Sequence, residues 1–346
     1  MGSELEAMGH RRLLLASSIL SASILAITGC GTSTSPATVT TTPSTVANVY
    51  VASSSTSPQI YTIPANSTGS PTPTSTIDIP ALNLVSAFAV DSSGNIYAAT
   101  ATDIREYAAG ATGTATPIRT IPFDSTTTLT DPFSIAIDSS GNIYAAQFTT
   151  SGTQITSSSI LVFSGTANGS VAPIRTISGA LTGLILAEQL ALDTSGNLYV
   201  FNVNPNGTPP ILVFAPGATG NVAPIRSLNQ ETLAMAVDPA GDIYTLSFTG
   251  ISIYAPGASG SATPTQTVSN ASLGEPAYND SLAVDASGNI YYTSSGTLLN
   301  NVRTAVPAIF RIAPPVAGST AALNNFTPAG WSPSVTTYAT YFFAVH

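Results

Sequence analysis

Few side chains in this sequence are suited to catalysis, and their positions exclude several common chemistries. The sequence contains two histidines, His10 and His346, and a single cysteine, Cys30. A Ser–His–Asp triad needs a histidine beside its nucleophile, a thiol mechanism needs a reactive cysteine, and a zinc site usually needs several His or Cys ligands. We therefore predict none of these three sites, and the sequence also lacks a phosphate loop and a dinucleotide-binding motif.

Aspartate is the residue that recurs with a regular spacing. The phrase FAVDSSGNIY, or a close variant, occurs five times. One interpretation makes these aspartates calcium ligands, but each copy offers only one such side chain. Asp-x-Ser-Gly-Asn also has the composition of a tight turn, in which Asp bonds its own backbone and Gly takes a positive φ. We interpret the aspartates as turn residues and predict no cofactor, with calcium left open; they are Asp91, Asp138, Asp193, Asp238 and Asp285.

The copies lie about 45 to 55 residues apart, a period typical of β-propeller blades. Each unit contains an apolar FAVD-type run, a NIYAA-type run with a tyrosine, a run with an aromatic residue, and a PIRTI-type run. We interpret these runs as four antiparallel strands, and six units follow one another. The sequence therefore predicts an all-β fold, a six-bladed β-propeller over residues 46–346. The six strand-two tyrosines are Tyr50, Tyr97, Tyr144, Tyr199, Tyr244 and Tyr291.

The two ends of this region predict how the ring closes. The first unit begins with its second strand, Asn48–Ala52, and the C-terminal sequence Phe342–His346 resembles Ala87–Asp91. We predict that the C-terminal segment is the first strand of the N-terminal blade and pairs with Asn48–Ala52. Closure would remove two open strand edges and bury Phe343 and Val345 between blades.

The recurring aromatic and basic residues also have structural interpretations. An aromatic residue at the same strand position in every unit is expected to pack between blades rather than to stack on a carbohydrate. Arg119, Arg175 and Arg226 recur in the fourth strand, which is the outermost strand of a blade. We predict that these charges prevent edge-to-edge pairing, rather than forming a rim that binds polyanions.

The N-terminal residues have the composition of an export signal and a tether. Two arginines precede the apolar run Leu13–Ile27, which is followed by Thr-Gly-Cys ending at Cys30. This pattern is a secretory signal, and its end resembles the bacterial lipobox, in which the cysteine is lipidated; an incidental cysteine is the alternative. We predict a lipoprotein signal peptide over residues 1–29, a Ser/Thr/Pro-rich tether over 30–45, and a membrane anchor on Cys30.

Charge and the lipobox resemblance limit the partners and the location. The net charge is −9 and all eight basic residues are arginine, which argues against a nucleic-acid partner. A single cysteine allows no intramolecular disulfide, so a monomeric fold must rely on packing. Gly31 replaces the aspartate that retains such lipoproteins at the inner membrane of enteric bacteria. The resemblance therefore implies an exported cell-envelope lipoprotein, with the outer membrane favoured.

The phrases AVDSSGNIYAA and ILVFAPGATGNVAPIRSL resemble those of NHL-repeat propellers, in a form common among exported bacterial proteins. The resemblance covers residues 46–346 and implies the fold but no single activity, since propellers include lactonases, lyases and binding modules. Amidating lyases of this fold need metal-binding histidines, which are lacking here. Lactonases of the gluconolactonase type hold a divalent metal at the channel mouth. Four carboxylates lie just before predicted first strands and could reach the channel, but they match no motif of such sites; they are Asp131, Glu188, Glu231 and Asp280.

Blade topology predicts where a ligand would bind. The loops after strands two and four lie on the same side of an antiparallel four-stranded blade, and these are the loops that differ between units. We call this side the variable face and the opposite side, which carries the repeated turns, the constant face. The first hypothesis is a non-catalytic binding or scaffolding module for a protein or glycan partner in the envelope, and the alternative is a metal-dependent hydrolase or lyase. The candidate binding residues are Asp124, Asp131, Glu188, Glu231, Glu275, Tyr278, Asn279, Asp280 and Arg303.

Overall fold

The computed structural model describes residues 47–53, 58–80, 85–151, 154–203, 211–230, 232–269, 281–294, 298–299, 302–303, 308–313, 323–326 and 341–345. These residues form six four-stranded antiparallel sheets, and each sheet is one blade. The described chain has no α-helix, and no helix in it is long and apolar enough to cross a bilayer. The predicted signal peptide, tether and Cys30 lie outside the described residues.

Blades 1 to 3 follow the order of the repeats. Blade 1 contains β1 (Asn48–Ser53), β2 (Gln59–Pro64), β3 (Ser75–Asp78) and β26 (Tyr341–Val345); blade 2 contains β4 (Ala87–Val90), β5 (Ile96–Ala99), β6 (Asp103–Tyr107) and β7 (Arg119–Pro122); blade 3 contains β8 (Ser134–Ile137), β9 (Ile143–Ser151), β10 (Gln154–Phe163) and β11 (Arg175–Ser178).

Blades 4 to 6 repeat this arrangement. A 3₁₀ turn (Ala180–Thr182) precedes blade 4, and a small hairpin of β22 (Leu298–Leu299) and β23 (Val302–Arg303) is inserted in blade 6. Blade 4 contains β12 (Leu186–Leu192), β13 (Leu198–Val203), β14 (Ile211–Phe214) and β15 (Arg226–Leu228); blade 5 contains β16 (Ala234–Val237), β17 (Ile243–Ser247), β18 (Gly250–Tyr254) and β19 (Gln266–Ser269); blade 6 contains β20 (Leu282–Val284), β21 (Ile290–Ser294), β24 (Ala308–Ile312) and β25 (Leu323–Phe326).

The turns between first and second strands form as the repeated phrase predicts. Asp91 Oδ1 accepts hydrogen bonds from the backbone N–H groups of Ser93 (2.8 Å) and Asn95 (2.9 Å). Gly94 has a φ of 82°, which only glycine adopts without strain. The same bonds recur at Asp138 and Asp285, and the interpretation of these aspartates as turn residues is confirmed.

The core lies between neighbouring blades. Tyr97, Tyr199 and Tyr291 of the second strands are fully buried, as are the aromatic residues Phe163 and Phe214 of the third strands. Both faces of each radial sheet pack on another blade, so strands one to three are apolar along most of their length. The interpretation of the repeated aromatic residues as core residues is confirmed.

The ring closes through the C-terminal strand. β26 pairs antiparallel with β1, with Val345 opposite Val49 and Phe342 opposite Ala52. β26 also contacts the first strands of both neighbouring blades, β4 and β20. The predicted closure and the count of six blades are therefore confirmed. His346 and the side chains of β26 lie outside what the structure describes.

The outer strand edges are protected by backbone rather than by charge. At four successive seams, the connection between strands three and four of one blade bonds to the outermost strand of the preceding blade. Gly220, for example, donates its N–H to the Thr176 carbonyl (2.6 Å) and accepts the Ser178 N–H (3.1 Å). The outer edge of β11 is therefore already paired, and equivalent bonds involve Gly113, Gly169 and Gly260.

This arrangement corrects the prediction for the strand-four arginines. Arg226 Nη2 donates to the Tyr199 hydroxyl (2.9 Å), which in turn donates to Asp193 Oδ2 (3.1 Å). The guanidinium carbon of Arg226 lies 5.7 Å from the centre of the Tyr199 ring. Arg175 is arranged similarly on Tyr144. The arginines therefore bond to the strand-two tyrosines. The prediction that they guard an open strand edge is wrong, because backbone of the next blade already covers that edge.

Candidate functional site

On the constant face, aspartate, tyrosine and arginine side chains form repeated hydrogen-bonded chains. Burial, followed by the charge of Asp193, raises the pKa of the Tyr199 hydroxyl, and Arg226 only partly opposes this shift. Burial and the Asp285 charge raise the pKa of Tyr291 in the same way. Such phenols stay protonated at neutral pH and cannot serve as general bases. The repeated Asp–Tyr–Arg chains are thus structural.

The variable face carries a groove between blades 3 and 4. One wall is the N-terminal end of β10, and the other is the segment around the 3₁₀ turn. The strands β13 and β14 of blade 4 form the floor of the groove. Its volume is about 540 Å³, which is within the range of small-ligand and peptide sites. The lining residues are Thr156, Ser157, Ser158, Gly179, Ala180, Gly183, Leu184, Ile185, Asn202 and Leu212.

Two glycines and a buried asparagine set the shape of the groove. Gly179 has a φ of 112° and Gly183 a φ of 68°, and they flank the 3₁₀ turn. The Asn202 side chain, which is 1% exposed, accepts the Ile185 N–H (2.8 Å) and donates to the Gly183 carbonyl (2.9 Å). These two bonds tie the groove wall to the end of β13. Asn202 was not among the predicted binding residues, although a polar residue that ends an apolar strand-two run was a usable signal.

The chemistry of the groove is neutral. Hydroxyl groups of Thr156 and Ser157 lie on one wall, and Leu184 and Leu212 contribute apolar surface. Of the described residues that line the groove, none is charged. Leu181, at the middle of the 3₁₀ turn, is 63% exposed. An uncharged ligand could therefore bind through hydrogen bonds to hydroxyls and contacts with leucine side chains.

Asp124 lies at the outer rim of the variable face and caps a turn. Its Oδ1 accepts the N–H groups of Thr126 (2.8 Å) and Thr127 (2.9 Å). Ser170, from the connection in blade 3, donates its hydroxyl to Oδ2, and this bond is the main cause of a lowered Asp124 pKa. Asp124 therefore fixes a loop and joins two blades, and its carboxylate already has donors.

Asp131 lies just before β8, where the first strands line the central channel. Its φ is 26°, and Thr128 in the same loop has a φ of 53°. Gln147 holds this loop, because it accepts the Thr130 N–H (2.8 Å) and donates to the Thr128 carbonyl (3.1 Å). Asp131 is exposed as a residue, but nearby protein desolvates its carboxyl group in part. Desolvation raises the pKa of Asp131, and the nearby Ser86 hydroxyl partly lowers it.

Glu188 lies in the first strand of blade 4 rather than in a loop before it. The residue is 3% exposed and lies where the register of β12 against β13 shifts, between Ala187 and Gln189. A β-bulge of this kind redirects a side chain without breaking the blade. Glu188 is thus part of a packed inner strand.

The other candidate residues are not brought into this site. Arg303 lies in β23, and the position of its side chain is outside the description. In the described part of the chain, no three His, Cys, Asp or Glu side chains are grouped so that they could hold a metal ion. Glu231, Glu275, Tyr278, Asn279 and Asp280 lie outside the described residues.

Comparison with solved structures supports the fold. A crystal structure of a protein of unknown function from Bacteroides caccae aligns with a TM-score of 0.53 and 13% identity, over 87% of this chain and 99% of that chain. The WD40 domain of Neurospora crassa Pan2 (TM-score 0.44, 9% identity, 71% of this chain and 72% of that one) and a chain of the mitotic checkpoint complex (0.47, 13%, 80% and 75%) are more distant. No protein-family model matches the sequence, and no curated protein matches it.

At these identities the likeness shows the propeller architecture alone. The fold is therefore a six-bladed β-propeller, and any function must be argued from its own surfaces. The variable face has two candidate ligand sites, namely the groove between blades 3 and 4 and the Asp131 carboxylate at the channel mouth.

Proposed function

We propose that this chain is an exported, lipid-anchored propeller of the NHL-repeat-like kind that binds a protein or glycan partner on its variable face, without catalysis. The observation that carries the proposal is the groove between blades 3 and 4. It lies on the face where the loops differ between units, and a buried asparagine shapes its wall. A rigid concave surface of this kind is typical of binding sites.

The place where the chain enters the propeller supports this choice of face. Ala47 precedes β1, and its carbonyl accepts the N–H of Ala65 (2.7 Å), which follows β2. Both residues belong to the constant face. A tether that enters there from an anchor on Cys30 would direct the constant face towards the membrane. The variable face would then be presented to partners in the envelope.

Lipid attachment is tested by labelling. Cells that express the full-length protein are grown with radioactive palmitate, and we expect the wild type to be labelled and Cys30→Ser to remain unlabelled and unprocessed. A Cys30→Ser protein that still takes up palmitate would contradict the anchor.

Partner binding is tested by capture from solubilised envelopes with the full-length protein as bait. We expect Ser157→Arg, which places a long cation in the neutral groove, to lose the captured partner. Ser92→Arg is the matched control, because Ser92 is also exposed and lies in a turn of the constant face, and it should retain the partner. Equal capture by both variants would exclude the groove, and capture of nothing by the wild type would count against a binding module.

A further inference from the structure

The carboxylate of Asp131 and the hydroxyl of Ser86 form a second polar feature of the variable face, separate from the groove. Ser86 immediately precedes β4 and Asp131 lies shortly before β8, and these two first strands contact each other at the channel. The two side chains therefore lie at the same side of the channel mouth. Neither takes part in the Asp–Tyr–Arg chains of the constant face.

Neither group has a full set of partners within the described residues. Ser86 is 3% exposed, and its Oγ has no hydrogen-bond partner there. Desolvation raises the pKa of Asp131 and the nearby Ser86 hydroxyl lowers it, and no cation of the described chain is near enough to affect this pKa. The Ser86 hydroxyl is close enough to lower the Asp131 pKa but makes no well-formed hydrogen bond. A buried hydroxyl in this state, beside a carboxylate with no cation near it, is suited to a ligand that donates hydrogen bonds, because a buried polar group without a partner costs free energy.

The site is also preorganised. Gln147 fixes the loop of Asp131 from both sides through its amide group. Asp131 holds a φ of 26° that few non-glycine residues adopt. Two residues further along the chain, Phe133 packs on Phe148 with ring centres 4.3 Å apart, and both rings are only partly buried.

We propose that Asp131 and Ser86 bind the ammonium group of a lysine side chain that a partner protein presents to the channel mouth. An ammonium has three N–H donors and one positive charge, and the site offers two carboxylate oxygens, one hydroxyl oxygen and one negative charge. The partly buried aromatic pair is suited to the methylene stem of lysine. This inference rests on the proposed function and specifies which kind of partner it would bind.

Other cations fit the site less well. Calcium takes six to eight oxygen ligands, usually from more than one carboxylate, and no group of three metal-binding side chains exists in the described residues. The ammonium cannot come from a side chain of a second copy, since the sequence contains no lysine. A lysine ligand would therefore come from a different protein.

The inference is tested by calorimetric titration of the full-length protein in detergent. The probe is Nα-acetyl-lysine N-methylamide, and its norleucine analogue, which has the apolar stem without the ammonium, is the matched ligand control. We expect the wild type to bind the lysine probe and not the norleucine analogue. Asp131→Asn should bind the lysine probe about tenfold more weakly, since a hydrogen bond to a charged group is worth roughly 1.4 kcal/mol or more. Ser86→Ala should also bind it more weakly. Asp138→Asn, in a turn of the constant face, is the matched protein control and should bind like the wild type.

Three results would overturn the inference. They are absence of binding by the lysine probe, equal binding of the norleucine analogue, and a titration unchanged in Asp131→Asn. If calcium chloride displaces the lysine probe from the wild type and does not bind Asp131→Asn, the site is a metal site instead of a lysine site. Loss of lysine binding with partner capture intact would reject this inference alone, whereas lysine binding without any captured partner would reject the proposed function.

Discussion

The side-chain oxygen Oε1 of Gln189 in blade 4 accepts a hydrogen bond from the backbone N–H of Met235 in blade 5, at 2.7 Å. One seam earlier, Ser134 Oγ accepts the N–H of Leu190 in the same way, at 2.9 Å. First strands have no neighbour on their channel side, so their inner N–H groups lack a strand partner. A side chain from the preceding blade supplies the acceptor at these two seams, and it also ties successive blades together.

The Gln189 bond predicts a stability effect. Gln189→Ala should lower the free energy of unfolding by about 1 kcal/mol, because it removes a buried hydrogen bond and leaves the Met235 N–H without its acceptor. Gln230→Ala is the matched control, since Gln230 is only partly buried and bonds to a surface carbonyl. Urea unfolding of both variants measures the difference. Equal decreases in the free energy of unfolding would show that the Gln189–Met235 bond contributes no more than the Gln230 bond.

Ring closure predicts the effect of removing the last strand. Deletion of Phe342–His346 takes away the whole partner edge of β1 and reopens the first strand of blade 1. We expect a sharp fall in melting temperature, because a lost strand is a large part of a typical ~5–15 kcal/mol stability, and we expect association through the exposed edge. His346→Ala keeps the paired strand and should melt like the parent. Calorimetry and light scattering measure the two effects, and a deleted protein that stays monomeric at the parent's melting temperature would contradict closure.

The seam glycines predict a purely conformational effect. Gly220 has a φ of 71°, and an added Cβ would meet no atom within 4 Å. Gly220→Ala should therefore lower the free energy of unfolding by about 1–2 kcal/mol through backbone strain alone. Gly220→Asn should be milder, because asparagine tolerates the left-handed region. Denaturant titrations that rank alanine and asparagine in the reverse order would argue against this cause.

Asp131 predicts a pH dependence of stability. Its folded-state pKa is raised above the usual 3.8, mainly by desolvation. The folded protein therefore binds the proton more tightly than the unfolded chain, and stability falls as the pH rises from about 3.8 through the raised pKa. Asp131→Asn should remove this fall, so its stability relative to wild type should increase across that interval.

This prediction is measured by denaturant unfolding at a series of pH values. A constant offset between Asp131→Asn and wild type at every pH would reflect only the better fit of asparagine to the positive φ. A difference that grows with pH would confirm the desolvated carboxyl. Asp124→Asn is the control for direction, since its lowered pKa predicts the opposite trend.

The local features of this fold could be predicted from the sequence because they depend on residues a few positions apart. The Asp91 turn needs an aspartate, a glycine and an asparagine within five positions, and the bonds to Ser93 and Asn95 form within that segment. Repetition of the phrase then indicated the blade count, and the likeness of Phe342–His346 to Ala87–Asp91 indicated closure. In each case a short segment specifies one strand or one turn.

The contacts between side chains of distant strands required the tertiary structure, because their partners lie 27 to 56 residues apart with no pattern that links them. Arg226 holds Tyr199 instead of guarding an edge, since Gly260 of the next blade already pairs with that edge. The groove and the Asp131–Ser86 pair arise where loops of adjacent blades meet. The sequence by itself determined the repeating strands and the turns, which are local. It also indicated the closure, because the last segment resembles the first strands of the other blades. Only the tertiary structure decided which side chains face one another across the seams, because blade packing and twist bring them together.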